Sequence, residues 1–274
     1  MLRGLYTSAS GMNAELLRQD VVANNIANAN TAGFKKDDAV FEAFPERLLQ
    51  RIHDRMDNGN KALGGAAGLA GAGTRSHFLG SLGQGVKADG TPTHFSDGSP
   101  VRSDRPLDLA LQGNGLFTVQ RADGSTAYTR NGSFTLNAER QLSTLNGDLV
   151  IGSGGRPIVI NGANVVVDSQ GVVKVDGTDA GKLSLAAYDP QRFAKLGESL
   201  YVKADDALDA VGDDPSKVSG RVLQGFNEQS NVQVVEEMVR MIEVNRAYES
   251  NAKTITMQDE TLNRLISDVG HPLA

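Results

Sequence analysis

The chain lacks cysteine and tryptophan altogether and holds its aromatic residues to 5% of 274 positions. Without cysteine there can be no disulfide staple, no thiolate zinc or iron–sulfur site and no thiol nucleophile. Without tryptophan, the usual stacking platform for a sugar is missing. A surplus of positive charge is absent too: 27 basic residues face 33 acidic ones, a net charge of -6, whereas a nucleic-acid binder carries a basic stripe. No run approaches the roughly 20 apolar residues of a membrane-spanning helix. Met1 to Asp20 contains Arg3 but no unbroken apolar core, so it does not read as a cleavable secretory signal. The four histidines, His53, His77, His94 and His271, lie far apart and form no H-E-x-x-H pair. Neither a G-x-S-x-G elbow nor an S-x-x-K at a helix start is present. No catalytic, cofactor-binding or metal-ligating residue is therefore expected, although two carboxylates distant in sequence could still meet in space. Apolar residues make up 39% of the chain and reach about 48% once glycine is added and tyrosine left out, inside the globular range of roughly 45–50%.

The clearest pattern lies at the two ends. Leu2, Leu5, Ala9, Met12, Leu16, Gln19, Ala23 and Ile26 recur at alternating steps of three and four, the spacing of a heptad seam. Met241, Val244, Tyr248, Asn251, Ile255, Gln258, Leu262, Leu265 and Val269 repeat that alternation, and at about 1.5 Å per residue the second helix runs for roughly 40 Å. Ser230 with Gln233 predicts a capping box before Val234. Asn28, Asn30, Thr31 and Gly33 predict the end of the first helix, with Gly33 able to turn left-handed. Both seams are thin: alanine, glutamine and asparagine occupy seam positions, and Gly11 costs about 1 kcal/mol against alanine inside a helix. Such helices gain from packing on partners, either as an intramolecular antiparallel pair or as a bundle of several copies.

The middle of the chain changes texture twice. Pro45 to Met56 suggests a short helix, and Asp57 to Gly73 is rich in glycine and alanine, a linker or an extended excursion. No Walker-type lysine follows those glycines. From about Thr93 to Tyr201 short branched or aromatic runs (Leu107–Leu111, Leu116–Gln120, Ala127–Arg130, Phe134–Leu136, Leu149–Ile151, Ile158–Ile160, Val165–Val167, Val172–Val175) alternate with Asp-Gly and Asn-Gly turns at 123–124, 131–132, 146–147, 161–162 and 176–177. That rhythm predicts an antiparallel β domain. Asp205 to Asp214 reads as a solvated acidic loop, its spacing unlike that of a calcium loop. The fold class expected is α+β, with N- and C-terminal helices packed as a coiled-coil-like bundle around a central antiparallel all-β domain. The corresponding domains are 1–44 with 226–274, a linker or insert over 45–85, and a β-rich domain over 86–225.

Two terminal signatures and one central signature then resemble a known family. Tyr6 to Met12, followed by Ala23-Asn24-Asn25-Ile26-Ala27-Asn28 and on through Gly33-Phe34-Lys35, is similar to the N-terminal signature of bacterial flagellar rod and hook proteins. Gln224 to Val232, Glu236 to Val239 and Asn245-Arg246-Ala247-Tyr248-Glu249 resemble the C-terminal signature. Arg105 to Leu111, Gly113 to Phe117 and Tyr128 to Phe134 resemble the centre of the family's β domain. The motif residues are Asn24, Asn25, Asn28, Gly33, Phe34, Asn231 and Arg246. Residues 41–50 depart from the acidic-leucine-tyrosine stretch of distal-rod proteins, and together with Arg105-Pro106-Leu107-Asp108 this departure leans toward the proximal-rod type.

The resemblance implies a structural axial subunit of the flagellar basal-body rod, passed unfolded through the flagellar export apparatus to a periplasmic or envelope-spanning rod. Its partners would be further copies of itself and neighbouring rod, hook or basal-body proteins, with no nucleic acid and no membrane insertion. Leu5, Met12, Leu16, Gln19, Ala23 and Ile26, with Met241, Val244, Tyr248, Asn251, Ile255, Leu262 and Leu265, are the residues expected at subunit contacts. Alternatives are a distal-rod or hook-like member of the family, a secreted β-domain enzyme or carbohydrate-binding protein, and a cytoplasmic scaffold.

Overall fold

The computed structural model describes residues 2–43, 47–50, 78–82, 85–187, 189, 193–197, 199–203 and 220–270. Two long helices, α1 (Leu2–Ala27) and α2 (Val234–Gly270), enclose in sequence a run of short strands whose pairings are all antiparallel where their register is defined. The class is α+β. The chain divides into two compact units: residues 1–17, 40–89 and 245–274 in the first, 18–39 and 90–244 in the second.

In the second unit, an eight-stranded sheet is built on the strand Leu116–Gln120, which pairs with Thr126–Thr129 along one edge and with Leu149–Val150 and Leu185–Ala186 along the other. Period-two alternation lets this strand serve two cores. Phe117 and Val119 enter a large cluster with Leu109, Phe134, Leu142, Ile160, Val173 and Leu183. Leu116, on the other face, joins Tyr128, Ala186 and Tyr201, with Phe95 and Phe193 against them. Val165–Val167, Val172–Val175 and Thr178–Lys182 form a separate three-stranded sheet. The strand Arg221–Gln224 pairs with Leu109–Gln112, and Phe226–Glu228 pairs with Pro100–Arg102. The chain just ahead of α2 is thus stitched into the β domain.

Four of the predicted strands, Leu116–Gln120, Phe134–Leu136, Val165–Val167 and Val172–Val175, have the observed bounds. At 123–124, 146–147 and 176–177 the turn glycine has a positive φ, as hairpin turns require. Gly132 is there for another reason, since a Cβ would collide with the carbonyl of Leu109. Gly162 likewise sits against the side chains of Asp176 and Val175. The strands after Val175 lie outside the runs singled out above: those over 178–203 fall within or at the edge of the β-textured stretch to Tyr201, while Arg221–Gln224 and Phe226–Glu228 lie beyond it.

The first unit holds the outer parts of both helices. A Cβ on Gly4 would run into the amide of Gln258, and one on Gly11 would stand 3.0 Å from Nδ2 of Asn251. The helices are therefore antiparallel, with two glycines seven residues apart matched to two amides seven residues apart. Val40–Ala43 pairs with Val86–Gly90 in this unit, and the Ser10 hydroxyl accepts a bond from the Val86 amide (3.3 Å).

Two local expectations are corrected. Arg47–Gln50, inside the stretch read as a short helix, is a strand paired with Phe78–Leu82; the rest of that stretch and the glycine-rich run over 57–73 lie outside the described residues, as does the acidic run over 205–214. Ser230 does not cap α2. The helix begins at Val234, and the Ser230 hydroxyl instead accepts from the amide of Val232 (3.2 Å), tightening the turn one step upstream. Glu236 and Glu237 supply negative charge to the first helical turn.

Candidate functional site

A buried polar knot in the second unit draws the terminal motifs and the β domain together. Glu228, on the strand just before α2, is almost fully buried. Its Oε1 accepts from Lys35 Nζ (2.6 Å) and from the Gly98 amide (2.9 Å), and its Oε2 accepts from Arg130 Nε (2.6 Å). Arg130 closes the remaining sides by donating to the carbonyls of Gly113 (2.7 Å), Gly115 (2.5 Å) and Leu111 (2.8 Å) and to Asp97 Oδ1 (3.2 Å). All five guanidinium protons thereby have partners, as a buried arginine demands. The Lys35 ammonium also donates to the carbonyl of Ser96 (2.6 Å). Burial holds its pKa below the ordinary lysine value of 10.5, because removal from water outweighs the favourable pull of Glu228 and Arg130 adds repulsion.

A second layer ties the start of α2 to the residues after α1. Asn25 Oδ1 accepts from the Asp37 amide (3.0 Å), while its Nδ2 donates to the Asp37 carbonyl (2.8 Å) and Glu237 Oε2 (3.4 Å). Arg240 bridges Asp38 (3.1 Å), Glu237 (3.3 Å) and Glu236 (2.7 Å). Lys195 pairs with Asp37 (2.8 Å), and its ammonium lies 3.9 Å from the centre of the Phe34 ring.

The motif asparagines act as backbone substitutes. Asn231 accepts from the Lys36 amide (2.8 Å) and donates to the His94 carbonyl and the Ser96 hydroxyl (both 2.9 Å). Asn28 donates back to the Asn24 carbonyl (3.0 Å) and accepts from Thr31 (3.2 Å), closing the end of α1. Gly33 has φ +67°, and a Cβ there would lie 2.5 Å from the Arg130 backbone. Its amide donates to the Glu228 carbonyl (2.8 Å). Phe34 is buried, whereas Asn24 and Arg246 are exposed. The Arg105–Asp108 segment is a structural turn: Ser103 Oγ donates to Asp108 Oδ2 (2.6 Å), and the Gly225 amide donates to the Asp108 carbonyl (2.8 Å). Its residues serve the fold of the β domain.

The residues expected at subunit contacts divide by exposure. Val244 is buried, and Met241, Tyr248, Asn251, Ile255 and Leu262 are half-buried, as are Leu5, Met12, Gln19 and Ile26. Leu16, Ala23 and Leu265 are exposed. Two seam positions, Asn251 and Gln258, are the amides set against Gly11 and Gly4, so in the first unit the α2 seam is used within the chain. On α1 the close approaches to α2 run through Gly4 and Gly11, beside the predicted Leu5–Met12–Leu16 line, and Ser8 between them is buried.

A second apolar stripe on α2 was missed. Val235 (77% exposed), Met238, Val239 and Ile242 (51–52%) follow i, i+3, i+4, i+7 spacing, which at 100° per residue places them opposite Val244. The signal was present in Val234-Val235-Glu236-Glu237-Met238-Val239-Arg240-Met241-Ile242, where apolar residues exceed what a single seam needs. Arg130 was signalled too, as a charge closing the strand-like run Ala127–Arg130, whereas Glu228 stands among polar residues and was not.

Three family descriptions match the chain in order: flagella basal body rod protein over residues 5–35, flagellar hook protein FlgE/F/G D1 domain over 110–175, and flagellar basal body rod FlgEFG protein C-terminal over 223–268. They cover α1 with its asparagine loop, the core strands, and the stitching strands with α2. Flagellar basal-body rod protein FlgG of Buchnera aphidicola subsp. Baizongia pistaciae is 33% identical over 276 residues, spanning 97% of this chain and 99% of the relative. The flagellar hook-basal body complex protein FlhO of Bacillus subtilis is 33% identical over 284 residues, spanning 98% and 99%. FlgG of Caulobacter vibrioides is 33% identical over 270 residues, spanning 95% and 97%.

Proposed function

The chain belongs to the flagellar basal-body rod protein family, and from that membership we propose a mode of assembly in which its terminal helices polymerise it into a helical tube. It is a structural subunit of the basal body rather than an enzyme, and it assembles with neighbouring rod, hook or basal-body proteins. In our reading, residues 1–44 and 226–274 form a coiled-coil-like inner layer, residues 86–225 an outer β layer, and residues 45–85 an extended insert. Contacts are heterologous and do not close on themselves, which gives a tube instead of a ring. The subunit reaches the rod through the flagellar export apparatus as an unfolded chain, and the finished tube carries torque from motor to hook.

One observation carries this proposal: Val235, Met238, Val239 and Ile242 remain uncovered on α2 although α2 already has an apolar seam on its other face. Each such side chain fully removed from water contributes roughly 1.5–3 kcal/mol. In the same reading the predicted contact residues, Leu5, Met12, Leu16, Gln19, Ala23 and Ile26 with Met241, Val244, Tyr248, Asn251, Ile255, Leu262 and Leu265, add further contacts within and between subunits and set register. Replacing Met238 and Ile242 together by aspartate tests it. The monomer should keep its helical circular dichroism, while polymers in electron micrographs and swimming of a complemented deletion strain are lost. Normal polymers and normal swimming would overturn the proposal.

A further inference from the structure

A cleft of about 990 Å³ opens on the second unit, between the wall formed by Thr118, Ile151 and Ser184 and the segments carrying Lys182 and Arg221. None of the residues lining it is acidic. Lys182 and Arg221 are exposed, and among the described residues neither has an ion pair. Thr118 lies in the cleft wall with only 5% of its surface exposed, and its hydroxyl has no hydrogen-bond partner. Its backbone is fully engaged: the amide donates to Ser184 (3.0 Å) and the carbonyl accepts from Ile151 (3.0 Å). Among the described residues lining the cleft, this is the one buried side-chain oxygen that the fold leaves without a partner, and natural folds leave few such groups unexplained. Further hydroxyls from Ser153 and Ser169 border the same space.

We propose that this cleft receives an acidic peptide segment of a neighbouring subunit, its carboxylates set against Lys182 and Arg221 and a polar atom of the segment taking the Thr118 hydroxyl. Charge complementarity selects this occupant. The chain itself carries six more acidic than basic residues, so copies of it offer carboxylates more often than cations, while this cleft offers cations without carboxylates. A saccharide is disfavoured because no aromatic ring lines the space. At 990 Å³ the cleft sits at the upper end of the roughly 300–1,000 Å³ of small-ligand pockets, room enough for a short peptide. The proposal goes beyond the helix-driven assembly described above and stands or falls separately, since binding is measured on the monomer.

The test titrates the full-length monomer with an alternating aspartate–serine hexapeptide, its asparagine–serine counterpart, inorganic phosphate and a glucuronate-containing disaccharide, read by calorimetry. The acidic peptide is expected to bind at least tenfold more tightly than the neutral one and to weaken steeply with salt. Lys182→Glu with Arg221→Glu should abolish that binding with the thermal unfolding midpoint nearly unchanged. Thr118→Val should weaken it several-fold while leaving the fold intact. Equal binding of both peptides, preference for the disaccharide or for phosphate, or retained binding in the charge-reversed variant would overturn the proposal.

Discussion

Glu228 joins three stretches of chain that are far apart in sequence, through Lys35, Gly98 and Arg130. Removing its charge leaves Arg130 and Lys35 buried with only the half-exposed Asp97 carboxylate to offset them, and breaking a buried pair from one side typically costs about 3–5 kcal/mol. Glu228→Gln should therefore lower the stability of the β-rich unit by that order, measured as a shift in denaturant midpoint at constant slope, whereas Glu139→Gln at an exposed turn should change it by less than about 0.5 kcal/mol. A loss below about 1 kcal/mol for Glu228→Gln would mean the knot is not cooperative. Lys35 gives the same knot a pH signature. Because its pKa is depressed by burial, the unfolded chain binds the proton more tightly across the interval from the folded value up to 10.5. Stability contributed by Lys35 therefore rises with pH through that interval. Comparing wild type with Lys35→Met between neutrality and 10.5, the wild type should gain on the variant as pH rises; a difference that stays flat or shrinks would contradict the direction of the shift. Arg130 and Glu228 both stood inside sequence runs quoted for the family resemblance. Only the structure shows that they meet, because a charged residue in a sequence run does not say which partner will bury it.

At the scale of the element, α1 and α2 illustrate what a heptad pattern can and cannot say. Their existence, the stop after Ala27 and the left-handed Gly33 were all legible, because periodicity and terminating residues are local signals. The face of α1 that meets α2 was not. Hydrophobic spacing pointed to Leu5, Met12 and Leu16, yet the close approach runs through Gly4 and Gly11, where contact depends on the absence of a side chain and adds nothing to an apolar count. The glycine that looked like a helix defect is where the partner's amide fits. Gly11→Leu should accordingly force the helices apart, at a cost of about 1–3 kcal/mol for overpacking that outweighs the roughly 1 kcal/mol gained in helix propensity. Gly11→Ala is milder, since the atom 3.0 Å away belongs to a movable amide. Far-ultraviolet circular dichroism with thermal melting distinguishes the cases: the leucine variant should lose helix at a lower temperature than wild type, with the alanine variant close to wild type. A leucine variant that melts above wild type would show that the glycine is not a contact residue. The β domain was more legible than the helix pairing, because hairpin turns and two-residue alternation fix neighbouring strands directly. What escaped there were the strands at 178–182 and 221–228, which owe their place to pairing partners rather than to their own composition.

Across the whole molecule, burial is distributed unevenly between the two units. The second contains both apolar clusters and the polar knot. Among the described residues of the first, only Ser8 and Ala14 are buried. From residue 245 onward no described position of α2 is fully covered, so that part of the helix holds little apolar surface out of water as a monomer. Helical stability in water comes mostly from packing an apolar face, and local openings are easiest where buried contacts are few. Native-state hydrogen exchange on the dilute monomer should then separate the units. Amides of Leu116–Gln120 and Ile151, in the sheet interior, should exchange only through global unfolding. Amides of α2 between residues 245 and 267 should exchange faster by several powers of ten. On polymerisation those same helix amides should gain protection of at least about tenfold, the equivalent of about 1.4 kcal/mol, because docking on neighbours supplies the burial that a single chain lacks. Slow exchange of this stretch in the dilute monomer, equal to that of the sheet, would show the helix to be self-sufficient and would separate its folding from assembly.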